Sequence, residues 1–313
     1  MTRGTSSPLL VIVGPTAVGK TALSLQLAQD LAGEIISADS RLIYRGLDIG
    51  TDKPTPQQQI LVPHHLIDLV NPDEVLTLAE FHERAVAIIA DLHARDHLPI
   101  LVGGTGQWVW AVVEGWGIPR VPPDPALRAG LEAQAAALGP EAFHAQLAAV
   151  DPLAAQRLDP RNVRRVIRAL EVYHKTGIPI SQHQAKTPPP YETLIIGLTM
   201  PRPQLYERID RRIDQMMTRG LLAEVEGLVA AGYGWDLPAM SGLGYRQIGQ
   251  YLQGQVSLDE AVALIKKETR RFVRQQYNWF RLDDVRIHWF EGGEGIESRV
   301  RQLIEVEFHE KSG

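Results

Sequence analysis

The chain of 313 residues contains no cysteine. That excludes disulfides and any cysteine-ligated zinc site, and it fits an enzyme of the cytoplasm. No uninterrupted apolar run reaches about 18 residues, so no transmembrane span is expected. The opening stretch MTRGTSSPLLVIVG has only a short apolar run before a glycine loop, and reads as a first core strand rather than a secretion signal. Internal repeats and low-complexity segments are absent. An excess of positive charge is lacking too: 32 Lys and Arg stand against 37 Asp and Glu, a net −5, which by itself argues against a nucleic-acid partner.

The basic residues that are present are concentrated. Arg157, Arg161, Arg164, Arg165, Arg168 and Lys175 face only Asp159 and Glu171 in residues 157–175, a local +4. Lys266, Lys267, Arg270, Arg271, Arg274 and Arg281 face only Glu268 in residues 266–281, a local +5. Such segments on an acidic background suit an anion-binding channel. They equally suit two solvated helix faces.

With 44% hydrophobic and 22% charged residues the composition is that of a globular protein, long enough for one large domain or a core with an insertion. PLLVIV (8–13), EIISA (34–38), PILV (99–102), TLIIGLTM (193–200) and VRIHWFE (285–291) read as strands. Leu23, Leu27 and Leu31 recur at helical spacing, with Gly33 able to end that helix. Thr77 and Glu80 form a capping-box pattern ahead of a helix to about Ala94. The strand–helix alternation predicts an α/β fold with a doubly wound, mostly parallel sheet. Proline-rich joints at IPRVPPDP and KTPPPY bracket an Ala-, Leu- and Arg-rich helical stretch. We therefore expect a core of residues 1–117 and 196–313, with long helices over 204–231 and 259–281, and a helical insertion domain over 118–195.

GPTAVGKT, comprising Gly14, Pro15, Thr16, Ala17, Val18, Gly19, Lys20 and Thr21, matches G-x-x-x-x-G-K-[ST] and sits between a strand and a helix. Its backbone N–H groups and the helix N-terminus can cradle phosphate, Lys20 can neutralise it, and the Thr21 hydroxyl can hold Mg²⁺. The strand at 99–102 ends in Gly103, Gly104 and Thr105, without the acidic residue that hydrolysing motors use for Mg²⁺. A hydrolysing motor is therefore disfavoured, while a small-molecule kinase stays open. Asp39 ends a buried strand at the sheet edge where α/β ligands bind, so it can serve as a base or a metal ligand, or merely cap a turn.

GPTAVGKTALS, IISADSRLIYRGLDIGTDKPT, GGTG, DPRNVRRVIRALEVYHKTG and SGLGYRQIGQYL occur in one order along the chain. Together they resemble the tRNA dimethylallyltransferase, or tRNA isopentenyltransferase, family. The resemblance implies a P-loop-containing core and transfer of a dimethylallyl group from dimethylallyl diphosphate. The acceptor is the exocyclic amine of the adenosine at position 37 of tRNA, beside the anticodon, in tRNAs reading codons that begin with U. The loop then holds the leaving diphosphate. The resemblance assigns the base role to Asp39 and places Thr105 and Arg128 near the reacting groups. Arg212 is our candidate for a further diphosphate contact.

The resemblance also implies tRNA contacts at Asp39, Ser40, Arg41 and Leu42, at Arg164, Arg165, Val166, Ile167 and Arg168, and at Ser241, Gly242, Leu243, Gly244, Tyr245 and Arg246. Arg164 and Arg168 share a helix face by spacing, and Tyr245 can stack on an extruded base or pack in the core. Gln107-Trp108 stands where the family usually has Leu-Tyr. Lacking a cysteine-bearing C-terminal finger, the chain looks bacterial in type; a monomer is expected. His64 and His65 read as a loop or packing pair. Three other readings remain at this point: an adenylate isopentenyltransferase acting on a free nucleotide, a P-loop kinase, and a non-catalytic RNA-binding protein.

Overall fold

In the computed structural model the uninterrupted apolar run near the N-terminus becomes a central strand with both faces buried. The structure describes residues 7–293 and 295–309; the extreme termini that we assigned to the core lie outside the described residues. The strands are β1 (Ser7–Val13), β2 (Gly33–Ser37), β3 (His64–His65), β4 (Leu98–Val102), β5 (Tyr191–Thr199) and β6 (Ile287–Glu291). Among the described residues they form one sheet in the order β3-β2-β4-β1-β5-β6, and every neighbouring pair is parallel. Parallel strands need crossovers, and the Lys20–Asp30 helix makes the first, burying Leu23 and Leu27.

Three local readings need correction. Gly33 does not end that helix; it opens β2, where a Cβ would stand 2.9 Å from the Leu98 carbonyl oxygen. The expected helix over 204–231 is two helices, Arg202–Thr218 and Leu221–Ala230, because Gly220 turns left-handed at φ +101°. His64 and His65 are a short edge strand on Ile35 and Ile36, too brief to show a period.

The chain divides into two compact units: Met1–Leu76, Glu80–Val113 and Pro190–Gly313 form one, and Thr77–Ala79 with Glu114–Pro189 the other. Our expected insertion of 118–195 therefore differs at both ends. Tyr191–Ile195 pair with Ser7–Val11, which ties them to the sheet.

The second unit is helical. Pro125, Pro140 and Pro152 each open a helix, where the missing N–H costs nothing. Leu131, Phe143, Leu147, Val166 and Leu170 fill its core. Beside that core the fully buried Glu171 binds Arg128 through two hydrogen bonds of 2.8 Å each. It also accepts from Arg168 at 2.6 Å and from the Asp124 backbone at 2.8 Å.

Candidate active site

The sheet unit contains a cavity of about 700 Å³. Its floor comes from the loops that leave the C-terminal ends of β1, β2 and β4, the edge at which ligands bind in open α/β sheets. Those loops contribute Thr16 and Ala17, then Asp39, Ser40 and Arg41, then Gly104 and Thr105, with Gly106 and Gln107 from the helix that follows.

The phosphate loop has the predicted backbone. Gly14 and Gly19 take φ +138° and +111°, and a Cβ on Gly14 would lie 2.4 Å from the Leu198 carbonyl oxygen. Pro15 and Val18 are buried beneath the loop, while Thr21 is exposed in the first turn of the following helix. Lys20 Nζ donates to the carbonyls of Gly14 (2.9 Å) and Pro15 (2.7 Å). Burial pulls the Lys20 ammonium down to a pKa of about 8; the Asp39 charge opposes that fall and the Arg212 charge adds to it. Lys20 thus lies within reach of the charges of both Asp39 and Arg212.

Arg212 reaches the loop from the Arg202–Thr218 helix. Its Nη1 donates to Thr16 Oγ1 at 2.8 Å, and its Nε lies 3.4 Å from Asp52. On the same helix Arg208 Nη1 donates to the Val18 carbonyl at 3.4 Å. Sequence reading singled out Arg212 but missed Arg208, one turn away and equally basic. It also missed Gln276, whose Oε1 accepts from the Thr16 N–H at 2.9 Å and whose Nε2 donates to the Gly104 carbonyl at 3.1 Å.

Asp39 Oδ1 accepts from the Arg41 N–H at 2.9 Å, so this carboxylate does close a turn as well as face the cavity. The Ser40 N–H donates to Thr105 Oγ1 at 3.1 Å, and the Thr105 N–H to the Ala38 carbonyl at 3.3 Å. Thr105 is thereby stitched beside Asp39. Arg41 turns away from both, donating to the Pro238 carbonyl (2.6 Å) and Ser241 Oγ (3.3 Å). Leu42 is half-buried and outside the cavity lining.

The block that follows Asp39 is mostly a scaffold for its own loop. Buried Lys53 binds Asp48 and Asp68 at 2.5 Å each and the Tyr44 carbonyl at 2.8 Å. Glu224 gathers the N–H groups of Asp48, Ile49 and Gly50 at 2.7–3.2 Å. The same carboxylate accepts from Tyr245 Oη at 2.6 Å. Tyr245 is 1% exposed with its ring against Gly50, so it is a core tyrosine and its ring is not presented for base stacking. Tyr245 and its neighbours Ser241, Gly242, Leu243, Gly244 and Arg246 all border the cavity, Arg246 paired with Glu268.

The remaining predicted residues lie in the helical unit. Arg128 is clamped to Glu171. Val166 and Ile167, expected to touch tRNA, are 0% and 5% exposed in that unit's core, so their side chains are not offered to a partner. Arg164 and Arg165 are exposed on the same helix; Arg168 is turned to Glu171 and the Val121 carbonyl. Gln107 borders the cavity, whereas Trp108 stacks on Phe81 with ring centroids 4.0 Å apart, which accommodates the larger aromatic.

Among the described residues no three His, Cys, Asp or Glu side chains gather as a metal site, His64 and His65 included. Asp39 in the cavity and the Thr21 hydroxyl at the start of the loop helix are oxygen donors suited to a cation that arrives with phosphate, as Mg²⁺ commonly does.

Comparison with known proteins gives a consistent result. Residues 42–283 match the family described as IPP transferase. A tRNA dimethylallyltransferase of Roseiflexus sp. (strain RS-1) is 58% identical over 274 residues, covering 88% of this chain and 90% of its own. Among solved structures, the full-length tRNA isopentenylpyrophosphate transferase of Bacillus halodurans superposes with a TM-score of 0.73 at 41% identity, over 98% of each chain. A eukaryotic dimethylallyltransferase acting on tRNA gives 0.83 at 26% identity, over 98% of this chain and 80% of its own.

Proposed function

The chain belongs to the IPP transferase family, and we propose that it is a tRNA dimethylallyltransferase, moving a dimethylallyl group from dimethylallyl diphosphate to the N6 amine of adenosine 37 of tRNA. The observation that carries this reading is that Asp39, Thr105 and Arg212 line one cavity at the sheet edge, where Arg212 reaches Thr16 of the phosphate loop that carries Lys20. Two cations flank the phosphate loop, and one carboxylate stands on the acceptor side.

In the reaction the adenine N6 attacks C1 of the dimethylallyl group. The C1–N bond forms as the C1–O bond breaks, and the bonding pair leaves with diphosphate. Lys20, Arg212 and the loop N–H groups stabilise that developing charge. Asp39 accepts the proton lost from N6. Thr105 orients the Ser40 end of the Asp39 turn. Thr21 and Asp39 would be the protein oxygen donors to Mg²⁺, which would supply further charge neutralisation. The adenine must leave its stack to reach the cavity. Arg164 and Arg165 of the helical unit and the 241–246 segment are our tRNA-facing surfaces, in a cytoplasmic monomer.

Kinase chemistry is the alternative that a phosphate loop alone would allow. Here β4 leads into Gly103, Gly104 and Thr105 rather than an acidic metal ligand. The relatives at up to 58% identity carry tRNA dimethylallyltransferase names, which favours RNA over a free nucleotide as acceptor. The test is release of inorganic diphosphate from dimethylallyl diphosphate. Release that requires unmodified tRNA, with no ATP turnover, supports the proposal; ATP turnover without use of the allylic donor refutes it.

A further inference from the structure

The buried positions of the Leu258–Trp279 helix are Ala261, Ile265, Val273 and, where an aliphatic residue would continue the stripe, Gln276. Gln276 is 4% exposed. A buried amide is costly unless both of its ends are bonded, and here both are. One end holds the N–H of Thr16 in the phosphate loop; the other holds the carbonyl of Gly104 in the turn after β4. The contact at Gly104 leaves no room for a side chain: a Cβ there would lie 2.2 Å from Gln276 Nε2, whereas the next protein atom outside that amide is 3.8 Å away. Thr16 is also the residue whose hydroxyl accepts from Arg212.

We infer that Gln276 is a positioning residue for the diphosphate: its amide ties the phosphate loop to the Gly104–Thr105 turn and so sets the spacing between leaving-group cradle and acceptor side. It touches no reacting atom. It acts through Thr16 on the loop and through Gly104 on the turn that carries Thr105. Transfer reactions are sensitive to misplacements of about 1 Å, which is the scale that a lost bridge of this kind permits. The inference rests on the reading of the loop as the diphosphate site.

Inorganic diphosphate with Mg²⁺, titrated calorimetrically into the full chain, separates the two. Wild type binds it if the loop reading holds; no binding removes that reading and this inference together. With wild type binding, Gln276→Ala should weaken diphosphate by about tenfold, the effect of stranding a buried polar group, and raise KM for dimethylallyl diphosphate while the Kd for tRNA stays constant. Gln276→Glu keeps an acceptor for Thr16 but sets a carboxylate oxygen against the Gly104 carbonyl. Only its protonated form can donate there, so its deficit relative to wild type should shrink as pH falls toward about 5, near the carboxyl range. Gly104→Ala should impair binding alone, yet add nothing to Gln276→Ala, which vacates the space for the Cβ. Unchanged diphosphate affinity in Gln276→Ala with only a lower Tm, or full additivity of the two changes, overturns the inference.

Discussion

Arg212 Nη1 donates to Thr16 Oγ1 at 2.8 Å, joining a helix from the second half of the chain to the third residue of the phosphate loop. The contact puts a guanidinium beside the loop without depending on the motif itself. Arg212→Ala should raise KM for dimethylallyl diphosphate by about tenfold or more, since a charge-assisted bond contributes roughly 1.5–3 kcal/mol. The Kd for tRNA should not move. Steady-state kinetics varying each substrate in turn checks this; a change confined to the tRNA would assign Arg212 elsewhere.

Lys20 predicts a pH dependence. Burial lowers its pKa to about 8. Below pH 8 the ammonium is charged and ready for the anion. Above it, the neutral amine must take up a proton to pair with diphosphate, so affinity should fall by about tenfold per pH unit until the bound-state pKa is reached. A Lys20→Arg control stays protonated and should be flat over the same range, though weaker in geometry. Calorimetry with dimethylallyl diphosphate between pH 7 and 9.5 distinguishes the two curves; parallel curves would detach Lys20 from the diphosphate.

Asp39→Asn should leave tRNA binding nearly intact and slow transfer by about 10²–10⁴-fold, the usual contribution of a positioned base. The asparagine can still accept from the Arg41 N–H, so the turn survives. Single-turnover rates on bound tRNA read the chemical step. A near-normal rate would remove Asp39 from the base role.

These residues were unequally legible in the sequence. The phosphate loop announced itself because strand, glycines and helix are contiguous, and the buried parallel strands because both faces are apolar. Gln276 carries no such signal: it continues the buried stripe of its helix, but its polar side chain hides that, and it is buried by bridging two loops distant in sequence. Tyr245 and Val166–Ile167, singled out with a contact motif, are buried. A motif preserves core residues alongside contact residues, and only burial separates them. Much of the distinctive block after Asp39 proved to be scaffold, with Lys53 and Glu224 holding loop backbone.

Arg164 and Arg165 are exposed, whereas Arg168 serves Glu171. Replacing Arg164 or Arg165 with alanine should weaken tRNA binding and reduce the salt slope by about one unit per residue that meets a phosphate. Arg168→Ala should instead lower stability. Filter binding across a potassium chloride series, beside thermal melts, separates these outcomes. An unchanged slope in both exposed-arginine variants would remove this helix from the RNA surface.

Glu171 predicts acid sensitivity. Burial opposes its ionisation, but hydrogen bonds from Arg128, the Asp124 backbone and Arg168 overcome it and hold the carboxyl at about 2 against an ordinary 4.5. The stability it contributes is therefore complete above pH 4.5 and lost as pH falls from there toward 2. Glu171→Gln should cost about 3 kcal/mol at neutral pH, as breaking a buried ion pair does, and flatten that acid limb. Urea unfolding of the full chain between pH 3 and 7 tests both; an acid limb identical to wild type would contradict it.

The most direct test offers purified protein, Mg²⁺ and dimethylallyl diphosphate to unmodified tRNA and to AMP in parallel, with products read by mass spectrometry. The tRNA should gain one dimethylallyl group on an adenosine beside the anticodon, and AMP none. Prenylated AMP with unmodified tRNA would contradict the proposed function and return the exposed arginines to the role of a solvated helix face.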